Sequence, residues 1–137
     1  MSVTPYIMFN GNCEEAFKFY ARITGGKIET MMPHSGTPAE SHVPAEWKNK
    51  IMHARMTIGG SPLMASDAPP GHYNKPQGFS VSLQVKTVAE GERIFNALAD
   101  NGKVNMPFQK TFWSPGFGMV VDRYDIPWMI NCDETLA

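Results

Sequence analysis

Thr4 to Asn10 reads TPYIMFN, an apolar-rich run of strand length. The next stretch changes period. Ala16, Phe19, Tyr20 and Ile23 recur at helical spacing, behind Asn12 as a candidate N-cap, with Glu15 three residues on and Gly25–Gly26 as a stop. The same signals return in the second half of the chain. FSVSLQV is extended, Thr87 and Glu90 mark a second helix start, Val88, Ile94, Phe95 and Leu98 form a stripe, and Gly102 ends it. After each helix come similar words, GKIE from Gly26 and GKVN from Gly102, about 76 residues apart. IMHARMTIGGSPLMASD then predicts two strands about Gly59–Gly60, and GFGMVVDRYDIPWMIN two strands about the Asp122–Asp125 turn. In this alignment Leu63–Met64 corresponds to Trp128–Met129, and Ser66 to Asn131.

Each half is therefore strand–helix–strand–strand–strand. The first carries an extra loop from Pro33 to Lys50, about 18 residues long. A Pro- and Gly-rich connector, DAPPGHYNKPQG, joins the halves. The predicted class is α+β, with two βαβββ modules in a single domain: module 1 at about 1–67, a linker at 68–78, and module 2 at about 79–137. Paired modules would build one curved mixed sheet, with helices on its outer face and the inner face free as a cup.

Composition narrows the function. A net charge of −1 supplies no basic patch for nucleic acid or an anionic membrane. The opening MSVTPYIMFNGN lacks a signal-peptide pattern, and no segment approaches a membrane span of ~20 apolar residues. Cys13 and Cys132 are too few for a disulfide framework. These features predict a soluble, cytoplasmic protein.

Alternation assigns the strand faces. Val81, Leu83 and Val85 should meet a helix, turning Ser80, Ser82 and Gln84 into the cup. Met52, Ala54, Met56 and Ile58 oppose His53, Arg55 and Thr57, while Trp128 and Ile130 oppose Met129 and Asn131. The first strand is apolar on both sides, and aligning its repeat with FSVSLQV puts Pro5, Ile7 and Phe9 beside the cup. Trp113, before a Ser–Pro–Gly turn, would close one wall opposite Phe9. His53, Arg55, Gln84 and Asn131 with aromatic walls suit a small ligand bearing a polar or anionic group. A polar strand face is also what many antiparallel sheets turn to water, and Trp113 could instead be core. Cys13 lies in a first helical turn but has no histidine near it in sequence, and His34, His42 and His72 read as solvated loop residues.

The words FNGNCEEAFKFY, SPLMASDAPP, NGKVNMPFQKTFWSPGFG and DIPWMIN carry a likeness spanning nearly the whole chain. It resembles the PhnB-like family of the vicinal oxygen chelate (glyoxalase/bleomycin resistance/dioxygenase) superfamily. The resemblance implies a homodimer and, in some relatives, phosphonate-related ligands. It also implies a divalent metal held by His, Gln or Glu on the first and closing strands of the modules. Those positions fall near Pro5, Met64, Ser80 and Met129, where no side chain is a good hard or borderline ligand. No metal site and no cofactor are therefore predicted, unless His34, His42 or His72, with Glu40 or Asp67, rebuild one from loops. Members of this family have been labelled ubiquinone-pathway methyltransferases, yet no glycine-rich nucleotide-binding turn follows a strand. The expectation is binding of a small polar or anionic molecule at His53, Arg55, Ser80, Ser82, Gln84, Trp113, Met129, Asn131 and Phe9. The alternatives are a metal-dependent lyase, isomerase or transferase with non-standard ligands, or a structural, partner-binding dimer.

Overall fold

A computed structural model describes residues 1–135. The first compact unit, Met1–Asn74, contains β1 (Tyr6–Phe9), α1 (Cys13–Thr24), β2 (Lys27–Pro33), β3 (Ile51–Ile58) and β4 (Ser61–Asp67). The second, from Lys75 onward, contains β5 (Val81–Val85), α2 (Val88–Ala99), β6 (Lys103–Gln109), β7 (Phe117–Val121) and β8 (Pro127–Cys132). Each unit is a βαβββ module with a four-stranded sheet, in the orders β1-β4-β3-β2 and β5-β8-β7-β6. The crossover through each helix makes β1 parallel to β4 and β5 parallel to β8, and the other pairings are antiparallel. This is the α+β class that the repeat predicts.

Each helix packs its apolar stripe on one face of its own sheet. In α1, Ala16, Phe17, Tyr20 and Ile23 are buried. Phe9 meets Phe17 edge-on, with ring centroids 6.1 Å apart. In α2 the buried set is Gly91, Ile94, Phe95 and Leu98, while Val88 is exposed, contrary to its place in the expected stripe. The reason is room: a Cβ on Gly91 would lie 2.8 Å from Phe108, so that turn of the helix rests on the sheet through a glycine.

The helix starts differ from one another. Thr87 caps α2, its Oγ1 accepting the Glu90 N–H at 3.1 Å. Asn12 makes no such bond at α1. Its part is taken by Asp67 at the far end of β4, whose carboxylate accepts the Cys13 N–H at 2.9 Å and the Ile51 N–H at 2.8 Å. One buried carboxylate thus ties together a helix start, the start of β3 and the end of β4.

The repeated Gly–Lys words have a common cause. A Cβ on Gly26 would stand 2.7 Å from the Thr57 carbonyl oxygen, and one on Gly102 still closer to that of Val121. The next residues, Lys27 and Lys103, pair with those same two strand residues, Thr57 and Val121. Only glycine lets the chain leave each helix so close to the neighbouring strand.

Two expectations need correction. The loop after β2 folds into two short 3₁₀ turns, Pro38–His42 and Ala45–Trp47, and His34 at its root is buried. The His34 Nδ1–H donates to the Lys50 carbonyl at 2.9 Å, so this histidine is a structural tie and not a solvated loop residue. His42 and His72 are exposed. The second correction concerns β1. Ile7 and Phe9 are buried under α1, whereas Tyr6 and Met8 face away from it. Phe9 therefore does not line the open face of its module. A one-residue slip exchanges every side chain between faces, and β1 is apolar on both, so alternation alone does not fix its register.

Candidate functional site

The second module turns the other face of its sheet outward. Pairing places Gln84, Asn131 and Phe117 side by side, and Ser82, Met129 and Met119 in the row beside them. Val85, Val120, Trp128 and Ile130 fill the face under α2, as the alternation requires. The polar row is linked: the Asn131 Nδ2–H donates to Gln84 Oε1 at 2.7 Å, and the Gln84 Nε2–H donates to Ser82 Oγ at 3.0 Å. Asn131 Oδ1 is buried and has no hydrogen-bond partner among the described residues. A buried acceptor left unmet costs about 1–3 kcal/mol, so this atom is poised for a donor.

One end of this face is aromatic. The Thr111 N–H donates to the Ser114 carbonyl at 2.9 Å, and buried Ser114 Oγ reaches the carbonyls of Gly116 (2.8 Å) and Cys132 (3.1 Å). That turn holds Phe112 and Trp113 outward. Trp113 is 54% exposed, so it is not core, and it packs edge-on against Phe117 at 5.4 Å.

The other end is a groove of about 700 Å³ whose walls include Lys75, Ser80, Lys103, Val121, Arg123 and Met129. Arg123 pairs with Asp100 at 3.1 Å and Lys75 with Asp125 at 3.8 Å, whereas Lys103 makes no ion pair among the described residues. Beneath the groove, buried Asp122 accepts from the Tyr124 and Ile126 N–H groups and from Trp128 Nε1–H at 2.9 Å. Asp122 thereby shapes the turn, and Lys103 is the groove cation that no carboxylate pairs among the described residues. Ser80, Ser82, Gln84, Met129 and Asn131 thus share one open face, with Trp113 at its aromatic end. Lys103 and Arg123 escape a reading by alternation, because they sit beside a glycine and in a turn, where no period applies.

The first module has its own open face. Met64 lies between Tyr6 and Arg55, which pairs in turn with Thr30, while Met8 pairs with Ser66 and His53 with Met32. Tyr6 Oη is 3.1 Å from His53 Nδ1, with the two rings stacked at 5.8 Å. Tyr6 and Met8 were hidden from the sequence reading by the same register slip that misplaced Phe9.

The positions implied for a metal lie near Pro5, Met64, Ser80 and Met129. In the sheets Met64 pairs with Tyr6, and Met129 with Ser82. Two thioethers, a phenol and a hydroxyl do not match the needs of a hard or borderline divalent ion. Among the described residues, no three of His, Cys, Asp and Glu gather as a metal would require. Cys13 is also unsuited to chemistry: burial, then the negative charges of Asp67 and Glu14, raise its pKa far above the ordinary thiol value.

Two βαβββ modules, each with a helix-covered and an open sheet face, make up a glyoxalase-like fold, shared with a glyoxalase/bleomycin resistance protein/dioxygenase family enzyme from Burkholderia phytofirmans PsJN (13% identical, TM-score 0.64). A family model described as 3-demethylubiquinone-9 3-methyltransferase matches residues 1–131. The chain belongs to that family. It is 39% identical over 139 residues to Protein YjdN of Escherichia coli (strain K12), covering 96% of this chain and 95% of that one. Protein PA1353 from Pseudomonas aeruginosa has a crystal structure that is 48% identical with a TM-score of 0.88, covering 97% of this chain and 98% of that one. A Bacillus cereus structure, titled as a PhnB protein and putative 3-demethylubiquinone-9 3-methyltransferase, is 23% identical with a TM-score of 0.79. It covers 97% of this chain and all (100%) of that one, and it speaks for the fold alone. No helix among the described residues is long and apolar enough to cross a membrane.

Proposed function

We propose that the open face of the second module binds a small polar or anionic molecule, phosphonates among the candidates, without the divalent metal of the superfamily's enzymes. The observation that carries this reading is the groove beside Met129, where Lys103 makes no ion pair among the described residues. The amide row lies farther along the same face and supports a polar ligand there, since Asn131 Oδ1 has no hydrogen-bond partner among the described residues. Met129 is then a wall: its flexible thioether fits varied ligand shapes and supplies no hard-metal bond. The anion would rest on Lys103, with the Ser80 hydroxyl on the same groove wall as a second contact. Both contacts are binding interactions, and neither implies a bond broken.

The test is calorimetric titration of methylphosphonate, inorganic phosphate and lactate into the protein. At least one anion should bind, and Lys103→Ala should weaken it about tenfold, the loss of one charge-assisted contact. Heats absent for the whole panel, or unchanged in Lys103→Ala, would refute the assignment.

A further inference from the structure

The first module's open face holds a second cluster that the groove does not use. A phenol O–H is a stronger acid than a neutral imidazole N–H, which favours Tyr6 Oη–H as donor to His53 Nδ1 across their 3.1 Å contact. In that arrangement the ring proton sits on Nε2, for which no partner exists among the described residues. Arg55, two residues along β3 on the same face, leans on Glu29 at 3.7 Å, with both side chains more than a third exposed. Such a pair is weak and yields readily to a better acceptor. Around these donors lie apolar surfaces: the Tyr6 ring at 47% exposure and the thioethers of Met8, Met32 and Met64.

We propose that this face binds a monoanionic carboxylate with an apolar or aromatic body, gripped by the Arg55 guanidinium and by His53 Nε2–H. Tyr6 is the positioning residue, holding His53 in the donating tautomer. The carboxylate spans the two donors, and the body lies on the thioethers and the phenol ring, where sulfur–aromatic contact is favourable. Glu29 sets the charge preference. It remains beside Arg55, bonded by Thr57 Oγ1 at 3.3 Å, and repels a dianion more than a monoanion.

The experiment is a titration of the isotope-labelled protein with benzoate, acetate and inorganic phosphate. It follows the ring nitrogens of His53 and the Nε of Arg55 by NMR. Benzoate at millimolar concentration should move both signals, acetate less and phosphate least. Arg55→Ala should weaken benzoate about tenfold, and Arg55→Lys should recover only part of that. Tyr6→Phe keeps the stacked ring but frees the tautomer. The His53 nitrogen signals should then shift towards a mixture of the two protonated forms, and benzoate should bind about threefold more weakly. These signals report on this site whatever happens in the groove. Signals unmoved by benzoate, or equal binding by phosphate, would overturn the proposal. So would a His53 tautomer indifferent to Tyr6→Phe.

Discussion

Cys13 and Asn131 show how surroundings decide what a residue does. Cys13 sits at the first turn of α1, a place that often activates a thiol, yet burial and two neighbouring carboxylates keep it protonated. In the unfolded chain the thiol ionises near its ordinary value of 9.0. Above that pH the folded state holds a proton that the unfolded state has lost, so stability falls as pH rises. Thermal melting from neutral pH to beyond the thiol value should show this decline, with a shallower slope in Cys13→Ala. An equal slope in that variant would mean other groups cause the decline. The native thiol should also react slowly with a disulfide reagent and quickly once unfolded. Asn131 is the opposite case, an amide with one end bonded and the other unmet. Asn131→Leu should leave the melting temperature unchanged or raised, because it removes an unsatisfied acceptor. A large loss of stability would show instead that the amide row is structural.

At the scale of elements, the repeat was legible because each module obeys two periods in turn, and the glycines after each helix mark one crossing geometry. Gly26→Ala should cost about 1–3 kcal/mol, since its Cβ would press on the Thr57 carbonyl and the strand must shift; chemical denaturation measures this. β1 was harder to read. Its apolar residues on both sides hide which face is buried, and only pairing with Met64 and Asp67 fixes the register. The cap of α1 was illegible for another reason: its acceptor lies 54 residues away along the chain, where no local motif reports it. Asp67→Ala should cost about 2–4 kcal/mol by leaving the Cys13 and Ile51 N–H groups buried without a partner. Asp67→Asn should recover part of it, since an amide oxygen can still accept one of the two bonds.

For the whole molecule, the repeat and the motif words together reached the family, and the match over residues 1–131 agrees with them. The chemistry was less legible than the fold. Alternation found Ser82, Gln84, Met129 and Asn131 on a strand face, but Lys103, Arg123 and Tyr6 lie where turns, glycines or two-sided apolar strands erase the period. We propose that the second-module groove holds its ligand without a divalent metal, Met129 and Ser80 standing as walls. The most direct measurement is titration of methylphosphonate into protein stripped by a chelator, repeated after adding back manganese or zinc. The affinity should be the same before and after the metal. Binding that appears only when metal is restored would contradict it.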